Sequence, residues 1–235
     1  MKKLRKHLPN IIYIFIVLLL IEVGYRIMVG QMNIKMPDLS KEKPEKLYTL
    51  SSINPIEVGQ KLTDTVIYTF EATDTDNWVF FDFSRGSVIS DIASPRAPKG
   101  WDLAFSRAKI ASNGGDKSRK GQVSVAKLET IDFDSVTRVP ENAKFIKNIS
   151  PPSIPDTNNA NLAKWYKYSF WDHYLKSHKN VFIIKTTEGN YAKMQVINFY
   201  CKKEEKRISS CYTIQYVYQG NGSKSFMKGA NESRG

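Results

Sequence analysis

Histidine and cysteine are scarce: the 235 residues include three His and two Cys. That count excludes multi-cysteine zinc modules, iron-sulfur proteins and disulfide-dense miniproteins, all of which need more ligands or bridges. Catalytic signatures are missing as well. There is no G-x-S-x-G, no H-E-x-x-H, no S-x-x-K on a helix-forming segment and no glycine-rich phosphate loop. Gly114-Gly115 reads as a turn after Asn113. With no acid, base or nucleophile constellation to name, the chain is expected not to be an enzyme. Helical periodicity is absent from every long segment beyond the first thirty residues, and no internal repeat occurs. Acidic residues are in deficit, 23 Asp+Glu against 35 Lys+Arg, for a net charge of +12. Part of that excess lies at the N-terminus and the rest is scattered without a dense stripe, so nucleic acid is not an expected partner. The charge reads instead as solubility and attraction toward anionic surfaces or ligands. A hydrophobic content of 41% excludes a disordered chain.

The N-terminus looks like an address. Lys2, Lys3, Arg5 and Lys6 precede an uncharged run from Ile11 to Ile21, the order read as a membrane signal with its basic end in the cytoplasm. The run suits a signal-peptide core, whereas a full span needs roughly 20 residues. Extending it from Asn10 to Val29 supplies that length, with Glu22 and Arg26 four apart on one helix face. No A-x-A-like site follows, and no Cys accepts a lipid. These flanks favour an uncleaved single-pass anchor over residues 1–30, with the rest of the chain in the periplasm or outside the cell. Residues 31–46, with two Pro and several charges, read as a tether, and residues 223–235 as a flexible tail.

Between tether and tail the pattern is that of strands. Val66, Tyr68, Phe70 and Ala72 alternate with Thr65, Ile67, Thr69 and Glu71, which predicts a sheet with one face inward. Trp78–Phe83 is apolar on both faces and predicts an interior strand. Trp101, Leu103 and Phe105 alternate with Asp102, Ala104 and Ser106, and a shorter alternation follows at Val123 and Val125. VFIIKT and YAKMQVINFY are joined by Thr187-Glu188-Gly189-Asn190, a hairpin signature. CYTIQYVY forms the last strand. Pro95/Pro98 and Pro151, Pro152 and Pro155 mark loops. Cys201 ends one strand and Cys211 begins the next, with a polar stretch between them. Ends of neighbouring antiparallel strands lie close enough for a disulfide, and export would favour it.

The distinctive local segment is WYKYSFWDHYLKSH. Trp165, Tyr166, Tyr168, Phe170, Trp171 and Tyr174 surround His173, with His178 five residues on and Lys167, Lys176 and Lys179 interleaved. Aromatic faces, an imidazole and cations are what a haem pocket combines: ring contacts for the macrocycle, an axial ligand, and partners for the propionates. An aromatic strand leading into a loop with an exposed His, with no ligand, would look the same.

The blocks WVFFDFSRGSV, WDLAFSRAKIASNGG, WYKYSFWDHYL, VFIIKTTEGNYAKMQVINFYC and CYTIQYVYQGNG, in that order, resemble the HmuY-like family of bacterial haem-binding, all-β proteins. The resemblance covers about Leu47 to Gly222. It implies a compact, mostly antiparallel β domain over residues 47–222, here expected behind one N-terminal transmembrane helix. It also implies haem as cofactor and a role in iron acquisition. The family prototype holds iron between two His from different segments, and relatives can use Met. Here His173 matches the His that follows WYxY, and no His lies between the anchor and that block. The second ligand is therefore left among His178, Met194 and, more weakly, Met36. Trp165, Tyr166, Tyr168, Trp171, Tyr174 and Lys176 are the expected pocket. The competing expectation is an envelope module that keeps the fold, binds a protein partner and has no haem.

Overall fold

The computed structural model describes residues 13–24, 46–58, 64–74, 77–90, 92, 100–115, 121–147, 159–170 and 173–227. The chain separates into two units, Met1–Lys46 and Leu47–Gly235. In the first unit residues 13–24 are helical. A bilayer crossing needs roughly 20 helical residues, and among the described residues no helix is long and apolar enough to cross. The expected transmembrane helix is therefore not supported among the described residues; the rest of the anticipated span, and most of the tether, lie outside them.

In the second unit the described residues form β1 (Val66–Glu71), β2 (Val79–Asp82), β3 (Ser87–Ile89), β4 (Leu103–Ser106), β5 (Lys109–Ser112) and β6 (Ser124–Lys127). A 3-10 turn over Leu162–Lys164 then leads to β7 (Tyr166–Ser169), β8 (Tyr174–Ser177), β9 (Val181–Lys185), β10 (Tyr191–Lys203) and β11 (Lys206–Gln219). One sheet runs β1-β11-β10-β9-β6, a second β3-β2-β4-β5, and β7-β8 stand as a hairpin. All the ladders between these strands are antiparallel, so the all-β expectation holds.

Period-2 alternation explains which faces meet. β1 buries Tyr68 and Phe70 and leaves Ile67 exposed. Phe70 meets Phe105 of β4 edge-on, with centroids 4.8 Å apart, and Tyr216 of β11 meets Phe81 of β2 at 5.5 Å. The main core is thus an aromatic layer between the two sheets, favoured both by buried area and by edge-to-face ring geometry. The outer faces are covered too. Phe80 of β2 packs on Trp101 at 5.0 Å, within a second cluster that includes Ala104 and Ala111. Behind the larger sheet, Ala126, Val181, Ile183 and Val217 are covered by Phe133, Val136, Val139 and Phe226. Burial on both sides is why β9 reads VFIIK without alternation. Lys193 lies on this second face, its Nζ donating to the carbonyls of Phe133 and Val136 at 2.8 and 3.0 Å and sitting 4.1 Å from the Phe133 ring centroid. Burial lowers its pKa, and the charges of Asp134 and Asp132 oppose that shift.

Two boundaries differ from expectation. Packing continues past Gly222: Ser225 bridges to Arg138, and Phe226 is buried. The polar stretch after Cys201 is not a loop either. β10 and β11 run through it to a turn at Glu204 and Glu205, with φ of 47° and 62°. Positive φ at both central positions matches the twist of a two-residue hairpin, although the composition carries none of the Asn-Gly signal that usually marks one. Gly114 is required by close approach, since a Cβ there would stand 1.9 Å from the Val123 carbonyl oxygen.

Cys201 and Cys211 form a disulfide with Cα atoms 5.6 Å apart. Cys201 lies opposite Ile208 in the ladder rather than opposite its partner, and the register shifts between Asn198 and Tyr200 just before it. Replacing both cysteines with Ala should cost about 2–3 kcal/mol by loop closure, read as a lower urea midpoint. An unchanged midpoint would show that the Glu204-Glu205 turn alone keeps the ribbon closed.

Candidate functional site

The aromatic segment folds as the β7-β8 hairpin, in register Tyr166 to Ser177, Lys167 to Lys176, Tyr168 to Leu175 and Ser169 to Tyr174. Its base is clamped to the body. Leu175 N donates to Tyr200 Oη at 3.0 Å, Ser177 Oγ to the Val196 carbonyl at 2.5 Å, and His178 N to the Trp165 carbonyl at 2.8 Å. Tyr174 stacks on Tyr200 with centroids 4.1 Å apart, and the Arg207 guanidinium lies 4.3 Å from both ring centroids. The tip is different. Tyr168 and Phe170 are 52% and 71% exposed, and His173 is exposed at φ 52°. His173 Nδ1 hydrogen-bonds Tyr168 Oη at 2.5 Å, and its ring lies 6.1 Å from that of Phe170. Fixing Nδ1 in this way leaves Nε2 as the nitrogen directed to a ligand or to solvent.

The expected site residues are therefore divided among several places. Tyr168 and His173 come together at the tip, joined by Phe170. Trp165 is in the core, its Nε1 donating to the Ala108 carbonyl at 3.0 Å and its ring 5.4 Å from Phe199 and from Tyr212. Met194 is fully buried between Phe182 and Tyr216 in the sheet register, so no bound ligand reaches its sulfur in this packing. Lys176 pairs with Lys167 on the opposite face of the ribbon from Tyr168. Trp171 and Met36 lie outside the described residues.

His178 belongs to a second place, an open cavity of about 560 Å³ that it lines with Tyr166, Lys127 and Lys164. β8 separates the two histidines. His173 stands at the exposed tip before β8, and His178 follows β8 at the base of the hairpin, where its N–H donates to the Trp165 carbonyl, so the strand places the two imidazoles at opposite ends of the ribbon. At the tip the chain offers haem one imidazole, that of His173.

A cluster that the sequence reading missed lies at the other end of the sheets. Asp82 and Asp102 are fully buried, and one carboxylate oxygen from each lies within 4.8 Å of the other and of one from Glu188 in the β9-β10 turn. Asp102 accepts from Phe83 N at 2.9 Å and from Thr187 N at 2.7 Å. Burial, with the charges of Asp82 and Glu188 added, holds the Asp102 carboxyl well above the usual range, the two backbone donors opposing. Burial likewise raises Glu188, with Asp82 adding to it. The sequence signal that could have found it is a carboxylate inside a run apolar on both faces, Phe80-Phe81-Asp82-Phe83.

Two antiparallel sheets around one aromatic core, with a docked hairpin whose aromatic tip is exposed, define an all-β body that presents a loop-borne site. The HmuY protein family model matches residues 74–216, more than half of the chain, and the chain belongs to the HmuY family. Solved structures share the fold. A Bacteroides vulgatus protein described as HmuY-like and heme binding aligns with a TM-score of 0.52 at 18% identity, over 69% of this chain and 98% of its own. Apo PinO from Porphyromonas gingivitis aligns at 0.52 and 16% identity, over 67% and 98%. A Bacteroides fragilis protein aligns at 0.51 and 15% identity, over 78% and 98%. At such identities the likeness is one of fold. No curated protein matches the sequence significantly.

Proposed function

We infer that this protein binds haem without catalysing a reaction on it, at the tip of the β7-β8 hairpin, with His173 as the axial ligand. The observation that carries this is the exposed imidazole at the tip, its Nδ1 fixed by Tyr168 and its flank formed by Phe170. A solvent-facing Tyr-Phe-His group stabilises no core, so packing alone gives no reason for it. Haem when bound supplies an iron with open axial positions and a broad apolar face. The chain's contribution is to orient one nitrogen toward that iron and to cover part of the macrocycle with Tyr168 and Phe170. Membership of the HmuY family supports the choice of ligand. The basic cluster and apolar run at the N-terminus, together with the Cys201–Cys211 bridge, support a body held at the envelope in an oxidising compartment.

Haemin titrated into purified full-length protein should give a saturable one-site Soret shift. His173→Ala should abolish or displace that band and His178→Ala should leave it. A flat response, or equal loss in both variants, would overturn the assignment. The separation of the two histidines by β8 favours one competing function, an envelope module that holds a protein partner through the same exposed tip. That function predicts no Soret response in any of the three proteins.

A further inference from the structure

We propose that Asp82, Asp102 and Glu188 form a calcium site that ties the end of β2, the entry to β4 and the β9-β10 turn together. Three carboxylates converge there, and among the described residues no Lys, Arg or His forms an ion pair with any of them. The backbone does not use up their oxygens. Asp82 Oδ1 accepts from Ser84 N, Ser84 Oγ and Arg85 N at 2.8, 2.6 and 3.1 Å, while Asp82 Oδ2 is buried and has no hydrogen-bond partner. A buried carboxylate oxygen without a partner is costly unless a cation or donor meets it.

A second group outside the acidic set points to the same place. Thr186, two residues before Glu188 and itself fully buried, has an Oγ1 with no hydrogen bond of ordinary geometry, yet it is near enough to ease the charge on Glu188. Two buried oxygens without partners beside three carboxylates make an all-oxygen donor set, the kind that hard divalent cations select. The type of donor separates the candidates. Mg²⁺ keeps several of its waters and is seldom held by a cage built from protein alone, whereas Ca²⁺ takes roughly six to eight oxygens in flexible geometry, so a buried set of carboxylate and hydroxyl oxygens suits the larger ion. Glu188 is exposed and gives the cation a route in from solvent. The ion would join the two sheets, because β2 and β4 belong to one and the β9-β10 turn to the other.

The test uses full-length protein stripped with EDTA and titrated with CaCl2, followed by calorimetry and by thermal unfolding. One saturable site is expected, with a dissociation constant of roughly 1 mM or tighter, a melting temperature several degrees higher with calcium, and at least tenfold weaker binding of MgCl2. Glu188→Gln, at an exposed turn position, should fold. It should melt higher than the stripped parent because one repulsive charge is gone, and it should lose the calcium-dependent rise. No heat and no change in melting on adding calcium, or an equal rise in Glu188→Gln, would overturn the site.

Discussion

Trp165→Ala is expected to lower stability by about 3–5 kcal/mol, the range for truncating a large buried aromatic side chain. The ring is 1% exposed and touches Tyr166, Phe199 and Tyr212, with centroids 4.7, 5.4 and 5.4 Å away. Truncation leaves a cavity where the β7-β8 hairpin joins the main core and strips the Ala108 carbonyl of its Nε1 donor. It also loosens the segment whose carbonyl accepts from His178 N. A large drop in the urea midpoint is therefore expected, with haem binding lost only as the fold is lost. Trp165→Phe keeps most of the apolar volume and should recover much of the stability. An Ala variant that melts like the parent but has an altered haem spectrum would place this ring at the ligand instead of in the core.

The same residue shows what a linear sequence conveys and what it hides. Alternation at Tyr68 and Phe70, the doubly apolar Trp78–Phe83 and the Gly-Asn turn after β9 report local backbone state, and the strands appear where those patterns occur. The Cys201–Cys211 bridge was legible because strand ends constrain distance. Periodicity assigns a residue to a face, but it does not say what covers that face. Trp165 and Tyr168 stand three apart in one aromatic segment, yet one is sealed against Phe199 and the other faces water. Asp102 sits just before β4, at a polar position of the alternation, yet it is fully buried and accepts from Thr187 of the β9-β10 turn, a contact between residues 85 positions apart. The polar stretch Lys202–Arg207 has weak intrinsic strand preference; ladder pairing and the disulfide carry it as a ribbon. For the candidate site, His173 with Tyr168 was readable as a local pair. The separation of His178 from it depends on β8 being a strand rather than a loop that folds back.

Asp102→Ala is expected to cost roughly 2–4 kcal/mol, because it strands the buried Phe83 N–H at about 1–3 kcal/mol and the half-buried Thr187 N–H at the low end of that range. Phe83 N at the end of β2 and Thr187 N in the β9-β10 turn both donate to this one carboxylate. The side chain therefore stitches an element of one sheet to a turn of the other. Relief of repulsion from Asp82 and Glu188 offsets part of the loss. The net sign stays unfavourable in EDTA, since alanine offers neither N–H an acceptor and position 102 is itself fully buried. Asp102→Asn should fall between: its carbonyl oxygen accepts from one N–H while its NH2 faces the other as a second donor. Amide hydrogen exchange in EDTA separates this account from a general loss of packing, because the Thr187 N–H should exchange faster in both variants than the ladder amides of β9 and β10. Unchanged protection of Thr187 in Asp102→Ala would show that the turn holds its place without the carboxylate, and that the two sheets are joined by the aromatic layer alone.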